Sequence, residues 1–212
     1  MRLEFLIVSC CSTGAVAVAS AQDATLPAES SFIFKLADEA IVADGTAAIC
    51  NRELSRSDFA RAFLHGYSTP GSTIPVNATL CSSRMNRRGW DAGQAYRTAH
   101  PDSVEQIMRE YGYKEFEGVG AWTVGFEAGG FQPDGVAEVA GPSSPKPCWY
   151  IAFIHGADLD AQLVQIVPPE ARLRGGTLRV HVKGYLSQLG DFGHFGVCQR
   201  QLYAVSVGAD GG

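Results

Sequence analysis

Past its first two dozen residues the chain has no apolar run long enough to cross a membrane as a helix. Basic residues are also short: 17 Lys and Arg stand against 22 Asp and Glu, a formal net charge of -5, and lysine is scarce beside arginine. That balance excludes a general binder of nucleic acid or of anionic membrane, since both need basic surface. No cysteine pair has C-x-x-C spacing, which removes the commonest zinc signature. H-E-x-x-H and G-x-S-x-G are absent as well, so no zinc-protease helix and no serine on a nucleophile elbow is encoded in recognisable form. Glycine, by contrast, is abundant at 24 residues, which points to turns, bends and close backbone contacts.

Residues 1–21 read as an export signal. Arg2 supplies the positive start, Phe5 to Ala19 an apolar run, and Ala19-Ser20-Ala21 the small-x-small pattern before a cut at Gln22. A periplasmic or secreted location follows. Two alternatives stand beside it. Ile7-Val8-Ser9-Cys10 resembles a lipobox, in which Cys10 would carry a lipid anchor, although its apolar lead-in is short. A buried N-terminal strand is the other. Removing the signal leaves about 190 residues, enough for one large domain or two small ones with a sizeable core.

Export decides how the cysteines are read. Cys50, Cys81, Cys148 and Cys198 remain, and an even number outside the cytosol favours two disulfides. Three connectivities are possible. Cys50–Cys81 with Cys148–Cys198 keeps each pair within one half of the chain and is the expected pairing; free buried thiols are the alternative.

After a linker over 22–30, residues 31–117 read as a small helical domain. Ser30 or Ser31 caps a helix with Phe34, Ala37 and Ile41 on its apolar stripe, ending near Asp44-Gly45. A second helix starts at Ser55 or Ser57 and stops at Gly66. A third covers about 86–99, and its Gly89-Trp90-Asp91-Ala92-Gly93 marks either a tight helix crossing anchored by Trp90 or a small-residue groove for a ligand. Arg84, Arg87, Arg88 and Arg97 form a basic cluster there, a solvated face or a seat for an acidic partner. In the fourth helix Asp102 and Glu105 suggest a capping box, and Gly112 a C-terminal cap.

From 118 onward the pattern turns to strands. Ala121 to Phe131 reads as one long strand bent by Gly125, Gly129 and Gly130, and a weak second strand falls near Val136 to Val139. Cys148 to Ile154 is a buried strand. Pro168 to Gly176 is a connection with a short helical turn. Thr177 to Ser187 alternates cleanly, with Arg179, His181 and Lys183 on the polar side, and Val197 to Val207 closes the unit before a frayed tail at 208–212. The strand order and the glycine-bent opening strand of residues 118–207 resemble an OB-fold, a five-stranded barrel. The resemblance implies a fold and no particular activity, because that fold hosts many functions. The expected class is therefore α+β, a helical domain followed by an antiparallel five-stranded OB-like barrel.

The loop from Leu186 to Gly196 is the best candidate functional element. Gly190, Gly193 and Gly196 recur every third residue, but a strand follows rather than a helix, which disfavours a phosphate loop. In an OB-like barrel this loop joins strands four and five and is used for ligand contact. Asp191, Phe192, His194 and Phe195, with Arg179 and His181 on the adjoining strand, form the candidate contact set. The bland alternative tucks both phenylalanines under the barrel as a plug. Ser187, Asp191 and His194 have the residue types of a hydrolase, but composition is not geometry. His155, His181 and His194 could meet at a metal only if the fold brings them together, and Glu115, Glu117, Glu127 and Glu138 could include a glycosidase pair only at the right separation. The reading is an exported, disulfide-stabilised, non-catalytic binding or interaction protein with an unknown protein or small-molecule ligand. No cofactor, metal, nucleic acid or membrane span is expected. A secreted hydrolase using His194 with Asp191 or Ser187, and a structural module of an envelope assembly, are the alternatives.

Overall fold

The computed structural model describes residues 26–45, 49–71, 80–124, 130–136, 148–190, 192 and 198–210. The signal segment with Cys10, residues 22–25 of the linker, and Asp191, His194 and Phe195 lie outside the described residues, as does the end of the tail at 211–212.

Helix α1 spans Phe32–Ala43. The Ser31 hydroxyl accepts from the Ile33 N–H, satisfying one of the donors a helix start leaves over, and Gly45 at φ 65° lets the chain turn away. Helix α2 spans Arg52–Ser68 and begins earlier than Ser55, because Asn51 caps it by accepting from Leu54 N–H at 3.0 Å. Nor does it stop at Gly66. That glycine is a contact point: a Cβ there would collide with the Trp90 carbonyl of helix α3, Leu80–Ala99. Gly89 and Gly93 of α3 meet the carbonyls of Phe59 and Phe63 in the same way. The small-residue stripe is thus filled by α2, and Trp90 is buried beside it.

Helix α4, Val104–Glu110, lacks the expected capping box. Ser103 takes the cap position, but its hydroxyl donates to His100 O and accepts from Tyr67, whose own oxygen accepts from Arg97 Nη1 at 3.1 Å. The chain Arg97–Tyr67–Ser103–His100 therefore ties α2, α3 and α4 together. Gly112, at φ 72°, closes α4 as expected, with Tyr113 N–H returning to Met108 O.

Five strands follow: β1 Lys114–Val124, β2 Gly130–Pro133, β3 Trp149–Phe153, β4 Gly176–Leu186 and β5 Arg200–Ala209. They close into a barrel in the order β1-β2-β3-β5-β4. The segment read as one bent strand is two, since Trp122 of β1 pairs antiparallel with Phe131 of β2, Gly130–Pro133; of the strand expected near Val136 to Val139, all but Val136 lies outside the described residues. The barrel is not wholly antiparallel either: β3 and β5 run parallel, from Trp149↔Arg200 to Phe153↔Ala204. An odd ring cannot alternate direction all the way round, so one parallel pair is a condition of closure.

Between β3 and β4 the chain forms α5, Ala157–Ile166, and α6, Pro169–Arg174. Leu159 from α5, with Val167 and Ala171, joins the barrel core of Trp122, Phe131, Trp149, Ile151, Val180, Val182 and Leu202. Gly120 makes room in that core, since a Cβ there would sit 2.7 Å from the Phe131 ring. A second core fills the helices and continues onto the barrel through Ile154 and Tyr203. There Tyr113 donates to Gln201 Oε1 at 3.0 Å, and burial pushes the Tyr203 hydroxyl up to about 12. Both expected disulfides form, Cys50–Cys81 and Cys148–Cys198, as suits an oxidising compartment.

Candidate functional site

The β4–β5 loop rises from a stalk with an unusual number of cross-links. Ser187 N–H donates to Gln201 O, and Gly190 N–H to Gln199 O, both at 2.9 Å. Phe192 and Cys198 exchange two backbone hydrogen bonds of 2.8 and 3.0 Å, forming a bridge beyond the named strands. Cys198 is also bonded to Cys148, and Gln199 N–H donates to Cys148 O. Arg200 Nη1 adds a bond to Ser187 O at 2.7 Å. The chain therefore enters and leaves the segment 193–197 at fixed points.

The residues of this stalk do not all serve as the sequence suggested. Phe192 is buried at 4% exposure, so its ring packs at the base of the loop rather than standing out to stack on a ligand. Ser187 is 2% exposed; its hydroxyl donates to Gln188 O at 2.7 Å and accepts from Gln201 N–H at 2.8 Å. In the reading that pairs Ser187 with His194, the serine gives its proton to that histidine. Here the proton goes to a backbone carbonyl, so the role of nucleophile does not fit Ser187. Leu189, beside it, is largely exposed.

Arg179 and His181 stand on β4, on the outer face of the barrel. Arg179 donates from both terminal nitrogens to Asp134, at 2.7 and 2.6 Å, and reaches Asp210 at 3.2 Å. It clasps the end of β2, β4 and the end of β5, and two carboxylates already face its charge. The hydrogen bonds from Arg179 hold the Asp134 carboxyl below the ordinary carboxylate range and raise the guanidinium further above its own. The sign follows directly. Because the folded carboxyl titrates lower than the unfolded one, the clasp is fully formed above pH about 4 and is lost as pH falls through the depressed folded value. A carboxyl-carbon NMR titration should place Asp134 below the ordinary aspartate range, and Arg179→Ala should raise its midpoint. An unchanged midpoint in that variant would show that the clasp does not exist in solution.

His181 Nε2 lies 3.3 Å from Glu117 Oε1, and Lys183 shares the same carboxylate at 3.9 Å. His155 Nδ1 lies 2.8 Å from Asp160 Oδ1, at the start of α5. The two histidines thus have separate carboxylate partners, and among the described residues no group of three or more His, Cys, Asp and Glu side chains is placed to hold a metal. Two concavities among the described residues border α4, around Asp102 and Arg109, and the end of β2 with the turn after it, around Gln132 and Asp134. Neither includes the stalk.

The Arg97–Tyr67–Ser103 chain was not visible in the sequence, because its members lie 30 and 36 residues apart. No periodicity marks them. No known protein family, curated protein or solved structure matches this chain.

Proposed function

We propose that the chain is an exported, disulfide-stabilised binding protein without catalytic activity, with an OB-like barrel that presents its β4–β5 loop to a partner. The helices ahead of Lys114 act as the domain that supports the barrel, whose strands run from Lys114 to Ala209 rather than from 118 to 207. The order β1-β2-β3-β5-β4, with the β4–β5 loop leaving two long strands, fits an OB-like architecture. The observation that carries the reading is the stalk. A segment of a few residues is clamped by a disulfide, a two-bond bridge and a buried phenylalanine ring at its base. Such anchoring lowers the ordering cost a loop pays when it binds. An inhibitor or immunity protein against another secreted protein is one form this function can take.

His194 and Phe195 are the contact residues in this proposal. On this reading the two side chains make contacts rather than pack, so His194→Ala and Phe195→Ala should cost no more than about 0.5 kcal/mol and leave the melting temperature within about 2 °C. Both should abolish retention of whatever envelope protein or small molecule the tagged wild type holds. A large fall in melting temperature would assign the residues to packing, and undiminished retention would remove the loop from the contact surface.

A further inference from the structure

We propose that helix α5 is a strap whose Gln162 side chain stands in for a missing strand, and that this contact keeps two copies of the chain from joining edge to edge through β5. The β4–β5 loop plays no part in it. Closing a sheet into a barrel removes its edges only where each strand is as long as its neighbours. Strand β3 has five residues and β5 has ten. The parallel ladder ends at Phe153↔Ala204, with one further bond from Ile154 N–H to Ala204 O at 2.9 Å. On its other side β5 stays paired with β4 through Lys183↔Ser206, His181↔Gly208 and Val180↔Ala209. Asp210 N–H donates to Arg179 O, so Ser206, Gly208 and Asp210 turn their backbone groups toward β4. By alternation, Val207 and Ala209 turn theirs to the side that β3 has left. Among the described residues no strand lies there. Helix α5 does: Gln162 Oε1 accepts from Val207 N–H at 2.9 Å, and Leu159 joins Val207 in the barrel core.

The edge under this strap has little protection of its own. Val205-Ser206-Val207-Gly208-Ala209 carries no charge and no proline, the residues that ordinarily blunt an exposed strand. A Cβ on Gly208 would meet nothing within 4 Å, so the stretch is open to an approaching backbone. What such an edge accepts is another extended chain, which alone offers donors and acceptors at strand spacing. A second copy carries the same uncharged half-strand, and two of them aligned antiparallel about Val207 meet like for like. The strap itself is slight. Leu159 is the one buried side chain among those described in α5, and the His155–Asp160 contact of 2.8 Å ties down its first turn. One amide oxygen thus covers the donor that a second copy would otherwise reach.

The test replaces Gln162 in the full chain. Gln162→Met keeps the length of the side chain and removes the acceptor, whereas Gln162→Glu keeps an acceptor oxygen. In dilute solution Gln162→Met should speed hydrogen exchange at Val207 N–H by about tenfold relative to the Val182 amide. On concentration the same variant should double in mass by sedimentation, and the Val207 and Ala209 amides should become protected. Wild type and Gln162→Glu should stay monomeric. Adding Gly208→Lys to Gln162→Met should restore the monomer by placing charge on the edge. Gln162→Ala makes the same comparison should Gln162→Met misfold. Acceptor-free variants that stay monomeric at every concentration, a dimer that leaves Val207 and Ala209 exchanging as they do in dilute solution, a dimer indifferent to Gly208→Lys, or a wild type that dimerises as readily would each overturn the inference.

Discussion

Gly93→Ala should destabilise the protein by about 2–4 kcal/mol, at the upper end of what overpacking costs. The size of that loss is informative because the intrinsic effect has the opposite sign. In a solvated helix alanine is better than glycine by about 1 kcal/mol. Here the new methyl would overlap the Phe63 carbonyl of α2 and lie 2.8 Å from Tyr67 N. Both obstacles are backbone of a neighbouring helix, so no rotamer change relieves them and the two helices must separate. Separation loosens the core of Phe59, Phe63 and Tyr67, and with it the Arg97–Tyr67–Ser103 chain. For a chain of this size the melting temperature should fall by roughly 5–15 °C. Gly208→Ala, where the added methyl meets nothing within 4 Å, is the matched control. A Gly93→Ala protein as stable as wild type in thermal melts followed by circular dichroism would mean that α2 and α3 do not approach this closely.

The second large effect concerns the barrel disulfide. Replacing Cys148 and Cys198 together by serine opens a link between residues 50 positions apart. Loop entropy sets the loss at about 4 kcal/mol. Cys50→Ser with Cys81→Ser, 31 positions apart, should cost nearly as much. What separates the two variants is where protection is lost. Hydrogen exchange of the Gly190, Phe192 and Gln199 amides should accelerate sharply without Cys148–Cys198, because those donors belong to the stalk it anchors. They should be unaffected by loss of Cys50–Cys81 beyond the global drop in stability. Equal loss of protection in both variants would show that the stalk has no local dependence on its disulfide.

Much of this was legible from short-range chemistry. Ser31, the Phe34–Ala37–Ile41 stripe and Gly45 mark α1 because cap, period and turn all act within a few residues. The disulfide pairing followed from keeping each pair local. Failures came where a residue serves a distant neighbour. Gly66 reads as a stop but is a contact with Trp90, and Ser103 spends its hydroxyl on His100 and Tyr67 instead of capping α4. Helix α5 shows no readable stripe because Asp158 and Asp160 flank Leu159, the residue it gives to the buried core. At the proposed site, the sequence offered Phe192 as a contact residue and Ser187 as the serine of a hydrolase alternative. Their burial depends on β5 and on Cys148, which no local pattern near residue 190 reveals. The parallel pair needed only counting, since a closed ring of five strands requires one.

That parallel seam also dictates an order of assembly. Trp149 meets Arg200 across 51 positions, so β3 cannot find its last neighbour until α5, α6, β4 and the loop have all been laid down. It is among the slowest kinds of contact for a chain to form, since the closure entropy comes due before any pairing is gained. Cys148 and Cys198 lie at the start of these same two strands. Oxidation of that pair therefore shortens the search for the parallel seam, and barrel closure is coupled to an oxidising environment.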